Sequence, residues 1–529
     1  MTGVTKAGET PTRVAPAEAS AGTWIGFAAM CLGMFMAVLD IQVVATSLPA
    51  IRDALAIPAE RMSWIQTAYL IAEVIAIPLT GLLTRAVGMR VLFVLAVSLF
   101  TLASIGCAAS TGFATLVTAR VVQGFFGGML IPLVFSAVFL LFPLRHQGLA
   151  TTLAGMLAVL APTVGPIVGG WITETGSWHW LFLVNVGPGI LACVLGLTTL
   201  TRESGDRSLL RSLDVGGLAL LAVCLASLQL GLKEAPDRGW ITAPVLALLA
   251  ASAVAGIFFV RRMLGTGEPI VQLRAFQDRG FTLGCALSFI LGMGLYGSVY
   301  LMPVFLAFVR EHGPLDIGIV MLVTGVTQLA TAPAAVALEQ RVDARLLTLA
   351  GFGVFGIGLA MSTAQTIDTD FAGMFWPQVV RGAAIMFCLL PPTRLALGNL
   401  APEAVPDASG VFNLMRNLGG AIGIALIDTV IYGRAPIHAK ALADRLADLD
   451  PKAFEIVGIP LEAMKEAAAR ASDPEVIAAV RPLVEKAATM QVINEAWAML
   501  ACVTLVGCAL ALLAPRRSAG TGAGTAALH

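Results

Sequence analysis

Carboxylates set deep in apolar runs are the groups with which a membrane-embedded chain can carry protons, and this sequence has three. Asp40 stands in LGMFMAVLDIQVVATSLPAI, Glu73 in the apolar run 62–83 and Asp428 in the run 408–432. Removal from water strengthens a carboxyl's hold on its proton and a nearby cation weakens it. A conformational change that alters either can therefore load and release a proton. Arg120, followed by Gln123 and Gly124, lies in the run 114–141. A guanidinium out of water requires a partner, and the expectation is that Arg120 tunes the protonation of Asp40 or of another core acid. Glu73 and Asp428 read either as a second proton site or as a seat for a cationic substrate. Arg416 is about three turns from Asp428 on the same run, too far to neutralise it directly. Gln42, Gln123, Asn185, Gln328, Arg381 and Asn413 are the polar side chains expected along a substrate pathway, and hydrogen bonding between helices is their plainer role.

The elements that hold these groups are membrane helices. Of 529 residues, 57% are hydrophobic and 12% charged, with a mean hydropathy of +0.86. A soluble domain carries about 25% charged residues. The expected fold class is therefore an all-α polytopic membrane protein. Net charge is zero, which gives no reason to expect nucleic acid, and there is no Walker, Rossmann or zinc pattern, so no cofactor or metal is expected. The eight cysteines fall inside apolar runs and read as small buried hydrophobes. The five histidines are scattered without HExxH or HxxxD spacing, which disfavours a membrane-embedded enzyme.

Apolar runs long enough to span occur near 24–48, 62–83, 91–110, 114–141, 148–173, 179–200, 214–232, 241–262, 280–309, 315–338, 345–364, 371–396, 408–432 and 491–514. Fourteen spans put both termini on one side. With the termini inside, seventeen Lys and Arg fall in inner segments and five in short outer loops, so the termini are expected to be cytoplasmic. Seven of the eight tryptophans, Trp497 among them, fall near expected outer ends, as an aromatic belt would. Arg120-Val-Val-Gln123-Gly124 returns as Gln378-Val-Val-Arg381-Gly382, and Arg85 to Arg90 is echoed by Gln340 to Arg345, each about 255–258 residues on. The expected organisation is a disordered tail at 1–22, a six-helix bundle at 23–200, a linker with an inserted helix pair at 201–279, a second six-helix bundle at 280–514 and a tail at 515–529. Residues 433–490 form the longest loop, facing outward, with helix-forming runs at His438–Leu449, Leu461–Ala471 and Pro474–Ala488. Parallel halves of this kind place a substrate site at their mutual interface near the midplane.

The run LAGMLAVLAPTVGPIVGGWI from Leu153 to Ile172 has Ala161, Gly165 and Gly169 at every fourth residue, a smooth face for close helix approach. Pro162 and Pro166 remove backbone donors and are expected to bend it. At Gly165-Pro166-x-x-Gly169-Gly170 it resembles the antiporter motif in the fifth helix of drug exporters of the major facilitator superfamily. Leu39-Asp40, Leu48-Pro49 and Ile51 resemble that family's first-helix motif, Arg120-x-x-Gln123-Gly124 its fourth-helix motif, and Trp180-Leu-Phe-Leu-Val-Asn185-Val a sixth-helix stretch. Gly81-Leu-Leu-Thr-Arg85-Ala-Val-Gly88-Met-Arg90 resembles the cytoplasmic loop signature, with Arg85 where the usual Asp is expected. The match runs over 24–514 and is closest to the fourteen-helix EmrB/QacA-type drug:proton antiporters. The resemblance implies two six-helix bundles plus an inserted pair, and proton-driven efflux of small amphipathic compounds across the bacterial cytoplasmic (inner) membrane by alternating access. In Gram-negative relatives it also implies a periplasmic adaptor protein and an outer-membrane channel. Export of one dedicated metabolite, such as a siderophore or a self-made antibiotic, is the runner-up, ahead of proton-coupled uptake.

Overall fold

The computed structural model describes residues 19–514 except 203–204, 212, 267–268 and 460–473. Among these there is no strand, and fourteen helices are long and apolar enough to cross a bilayer. They are α1 (Ala21–Thr46), α2 (Trp64–Val87), α3 (Met89–Ala108), α4 (Phe113–Leu141), α5 (Leu144–Thr175), α6 (Trp180–Thr199), α7 (Val215–Arg238), α8 (Ala243–Gly265), α9 (Arg279–Phe308), α10 (Pro314–Arg341), α11 (Ala344–Ala360), α12 (Phe371–Leu397), α13 (Val405–Ala447) and α14 (Pro474–Leu512). The chain is a multi-pass membrane protein. The expected tails at 1–22 and 515–529 fall outside the described residues except for 19–22.

The caps show why these apolar stretches begin where they do. Ser20, Asp214, Asp278, Asp343 and Asp370 each accept a hydrogen bond from a backbone N–H in the first turn of the helix that follows, covering donors that lipid could not. Arg262 on α8 donates to Asp214 at 2.6 Å, and this bond holds the Asp214 carboxyl below the usual carboxylate range. The inserted pair α7–α8 is thus fixed as a hairpin.

Two apolar cores correspond to the two halves. One unites α1, α3, α4 and α6 around side chains such as Phe93, Phe100, Phe135 and Phe182, and the other unites α9 to α12 with α14 around Phe305, Phe352, Phe355 and Trp497. A third core joins α2, α7, α8, α9 and α13, through Leu82, Leu221, Phe259, Phe281 and Phe412. The inserted pair therefore packs against both halves at the α2–α13 seam. Lys233 donates to Ser63 beside α2 at 2.9 Å, and Trp240 donates to Thr429 on α13 at 2.9 Å.

The repeat has a structural counterpart at the helix ends. Arg90, at the start of α3, donates to the Leu197 carbonyl near the end of α6, and Arg345, at the start of α11, donates to the Leu512 carbonyl at the end of α14. In each half a guanidinium covers a helix C-terminus, where both the orphaned carbonyls and the helix dipole favour a cation.

α5 is continuous through Pro162 and Pro166. Its motif face does not meet the other half. A Cβ on Gly165 would collide with Gln42 of α1, and Ser47 lies at 3.4 Å from the Gly169 carbonyl and 2.7 Å from the Thr173 hydroxyl. Ala161, Pro166 and Gly170 are buried. The second half is met through other positions: Gly148 lies against Glu339 and Val336 of α10, Gly155 against Leu389 of α12, and Ile167 against Gly318 of α10.

The stretch expected as the longest loop is mostly helix. α13 has 43 residues and α14 has 39, each far longer than the roughly 20 that a bilayer core needs. Gly433 and Pro436 suggest a break in the sequence, yet the helix runs through both. Packing supplies the reason: Leu442, Val457, Val484, Ala487 and Ala488 form a small core of their own, with a short helix at Pro451–Val457. Glu495 ties the two stems together, pairing with Arg434 and His438 at 3.0 Å. The expected run Leu461–Ala471 lies outside the described residues.

Gly165→Leu is expected to force α1 and α5 apart, at a cost of about 1–3 kcal/mol typical of overpacking. Thermal unfolding in detergent should show Gly165→Ala intermediate between the wild type and Gly165→Leu. Equal stability of all three would contradict the close approach.

Candidate functional site

The buried charges of the first half converge on one point. Asp40, on α1, is 1% exposed and Arg120, on α4, is fully buried. The Arg120 guanidinium donates through Nη1 to Asp40 Oδ2 in a direct ion pair. It also donates to Gln123 Oε1 at 2.7 Å and through Nε to the Ile65 carbonyl at 3.2 Å. Gln123 Nε2 donates to Asp40 Oδ1 at 2.9 Å and to Ser104 Oγ at 2.8 Å, and Asn185 Nδ2 donates to Asp40 Oδ1 at 2.8 Å. Three side chains from α4 and α6 thus aim donors at one carboxylate.

Local sequence explains each position. Gln123 follows Arg120 by three residues, so both leave the same face of α4. Asn185 reaches Asp40 from a break in α6, where Val184 and Asn185 are turn and helix resumes at Val186. Pro188 has no N–H to offer the Val184 carbonyl, which removes the hydrogen bond that would close this turn. Tyr69, on α2, roofs the pair: its ring centre is 4.2 Å from the Arg120 guanidinium, and its hydroxyl donates to the Ala37 carbonyl at 3.0 Å. Phe182 lies 5.9 Å away on another side. Aromatic walls of this kind keep water out and strengthen the ion pair.

Glu73 is one turn beyond Tyr69 and 5% exposed. Its backbone and side chain lie against Gly128 of α4, where a Cβ would meet them. The same helix meets the second half one turn further on, where Ile77 and Pro78 lie against Gly410 of α13. Asp428 is elsewhere: it is half-buried and accepts a 2.6 Å hydrogen bond from Tyr300. Gln42 packs its side-chain base on Gly165. Asn413 donates to the Ser409 carbonyl one turn back at 2.9 Å, and Gln328 is 1% exposed with neither amide atom hydrogen-bonded.

The arginines of the second half have different surroundings. Arg381, on α12, stacks over the ring of Trp497 at 4.7 Å. Trp497 is fully buried and so lies in the core, away from the expected aromatic belt, because it covers this cation. Gln378 accepts from the Thr324 hydroxyl at 3.1 Å.

The loop between α2 and α3 turns on Gly88, whose φ of 85° is in the left-handed region that favours glycine. Arg85, which stands where an Asp is usual, forms an ion pair with Asp407 of α13 at 3.1 Å. A Cβ on Gly81 would strike Asp407 itself. Nearby, Ser409 donates to the Pro132 carbonyl of α4 at 2.9 Å, and Arg394 pairs with Glu339 at 2.7 Å beside Gly148. The loop is therefore tied to the second half by an ion pair in which Arg85 is the cation. Sequence reasoning did not single out Tyr69, Ser104, Tyr296, Tyr300 or Asp407. Tyr69 had a readable signal, being one turn from Glu73 on the same face, and Asp407 had none.

The whole arrangement has known counterparts. Residues 30–424 match the Major Facilitator Superfamily model. The chain is 37% identical over 420 residues to the colistin resistance protein EmrB of Acinetobacter baumannii, covering 79% of this chain and 82% of that one. It is 31% identical over 428 residues to the multidrug export protein EmrB of Escherichia coli K12, covering 80% and 83%. Among solved structures, the proton:xylose symporter XylE superposes with a TM-score of 0.57 at 14% identity, covering 94% of this chain and 96% of that one, which speaks to the fold. With two six-helix halves, an inserted pair and charges buried between helices, this chain belongs to the major facilitator superfamily and is a transporter, not an enzyme.

Proposed function

We propose that this protein is a proton-coupled antiporter that exports small amphipathic compounds, multidrug substrates among them, by alternating access. The observation that carries the reading is the Asp40–Arg120 pair with its donors from Gln123 and Asn185, sealed from water beneath Tyr69. Relatives named as multidrug export proteins support the cargo class.

In this reading the ion pair is the energy-coupling device. An ionised Asp40 satisfies the three donors aimed at it, and a protonated one does not. Protonation therefore releases Arg120 and loosens α1 from α4. Glu73, on the helix that joins the network to the second half, is the second proton carrier. The α2–α13 contacts at Arg85–Asp407 close the inner face while the outer face takes up protons. Breaking them opens the inner face to cargo, and proton release there resets the carrier. The proton gradient is the energy source and no cofactor takes part. Asp428, away from this network and bonded to Tyr300, has a supporting role near the middle of α13.

The chain resides in the bacterial cytoplasmic membrane with both termini in the cytoplasm. This orientation places the Arg85–Asp407 contacts on the cytoplasmic side and the α13–α14 hairpin outside. In a Gram-negative envelope that hairpin is where a periplasmic adaptor, leading to an outer-membrane channel, docks.

Protein in liposomes with an imposed pH gradient tests the coupling. Asp40→Asn is expected to reduce gradient-driven dye efflux by about 100-fold, in keeping with loss of a group acting in the driven step, while dye exchange without a gradient continues. Undiminished driven efflux would refute the coupling role. Arg120→Gln should behave in the same way, with insertion into the membrane intact. Cells with residues 440–486 deleted should lose drug resistance while the purified variant keeps its efflux in liposomes, and undiminished resistance would remove the docking assignment.

A further inference from the structure

The two halves differ in what balances their buried arginine. The starts of α1 and α4, Ala21 and Phe113, correspond to the starts of α9 and α12, Arg279 and Phe371, at one shared offset. By that offset Asp40, Arg120 and Gln123 fall on Ser298, Gln378 and Arg381. The second half keeps the guanidinium and replaces the carboxylate with a hydroxyl.

Arg381 is 3% exposed and Arg416, on α13, is 5% exposed. Among the described residues neither has an Asp or Glu oxygen within 4 Å, and Nε of each, with Nη2 of Arg416, lacks a hydrogen-bond partner. Their neighbours are rings: Trp497 at 4.7 Å from Arg381, and Phe135 and Phe412 at 5.0 and 5.5 Å from Arg416. Cation–π contact offsets only part of the cost of burying a charge. Asp428 is held by Tyr300, and Glu73 forms no ion pair with Arg416.

Both arginines line open space. One cleft has Arg416 and Tyr296 in its wall, the other Arg381, Gln378 and Ser298, and the two share Leu295, Val299 and Ile385. The first is also lined by Gly155, Ala158 and Pro162 of α5, so it sits between the halves. As it stands each cleft is narrow, about 20 Å³, with apolar walls and a few convergent polar groups, and a small-molecule site of this form opens only as the halves part.

We propose that this cleft is the cargo's anion seat: Arg381 and Arg416 take the carboxylate or sulfonate of an amphipathic anion, and Leu295, Val299 and Ile385 take its apolar body. This deepens the exporter reading and rests on it. The missing negative charge arrives with the cargo, and an amphipathic cation is excluded by two like charges.

The test uses two dyes with one apolar body. 8-Anilinonaphthalene-1-sulfonate is an anion, and N-phenyl-1-naphthylamine lacks the sulfonate. Binding is measured to the full chain in phosphatidylcholine nanodiscs, with empty discs subtracted. The sulfonate should bind more tightly than the neutral dye by roughly tenfold or more. Arg381→Gln and Arg416→Gln should each weaken the sulfonate by about that factor and leave the neutral dye nearly unchanged, and Arg381→Lys should recover much of the loss. Equal wild-type affinity for the two dyes, or glutamine variants that weaken both dyes alike, would overturn the assignment. A lipid headgroup is the competing source of the anion. If phosphatidylglycerol in the discs displaces the sulfonate from the wild type and from Arg381→Lys, but not the residual binding of Arg381→Gln, the seat belongs to lipid and the cargo assignment falls. Gradient-driven efflux of the neutral dye separates the two readings. If it persists without sulfonate selectivity, only the anion seat is overturned, and if no dye moves with the gradient, the exporter reading fails first.

Discussion

The buried pair of Asp40 and Arg120 is the constraint on which the first half depends. Neither charge is tolerable alone in a low-dielectric core, and together they are tolerable only with most of their remaining hydrogen-bonding capacity filled. Gln123, Asn185, Ser104 and the Ile65 carbonyl fill all but Nη2 of Arg120, which fixes the rotation of α1, α2, α3, α4 and α6 about a common point. The interruption of α6 at Asn185 serves the same end. The aromatic roof of Tyr69 then makes α2, the helix that leads to the other half, a direct neighbour of the charge pair.

From there the structure is a set of seams of different strength. Inside each half, aromatic and aliphatic side chains interlock. Between the halves, small residues and polar ends meet, Gly81 and Arg85 with Asp407, Gly410 with Ile77, Ser409 with Pro132, beside the apolar core that α2 shares with α9, α13 and the inserted pair. The glycines and polar pairs can exchange partners, and the apolar core holds α2 near α13 while they do. The motif glycines hold α5 to α1 within one half, while Gly148, Gly155 and Ile167 of the same helix meet the other.

Much of this was legible in the sequence because lipid leaves few choices. A charge in an apolar run must find a partner, which made Asp40 and Arg120 readable together, and the length of each run made the helix count readable. Other features depend on positions distant in the chain. Nothing local to Arg85 points to Asp407, and the carboxylate that replaces the usual one comes from the opposite half. Trp497 looked like an interfacial anchor by its position near a helix end, and burial over Arg381 decided otherwise. Gly433 and Pro436 carry loop signals, but helix packing in the hairpin overrides both.

α13 has one more property, which comes from its length alone. A single unbroken helix carries Asp407 at one end, Arg416 about a quarter of the way along and the hairpin stem at the other end, over 43 residues or about 65 Å. Such a rod is a lever whose long arm stands clear of the bilayer. A tilt of roughly 10° about its Asp407 end displaces the far tip by about 11 Å, so a small rearrangement around the Arg85 contact is magnified into a stroke that any protein resting on the tip would feel.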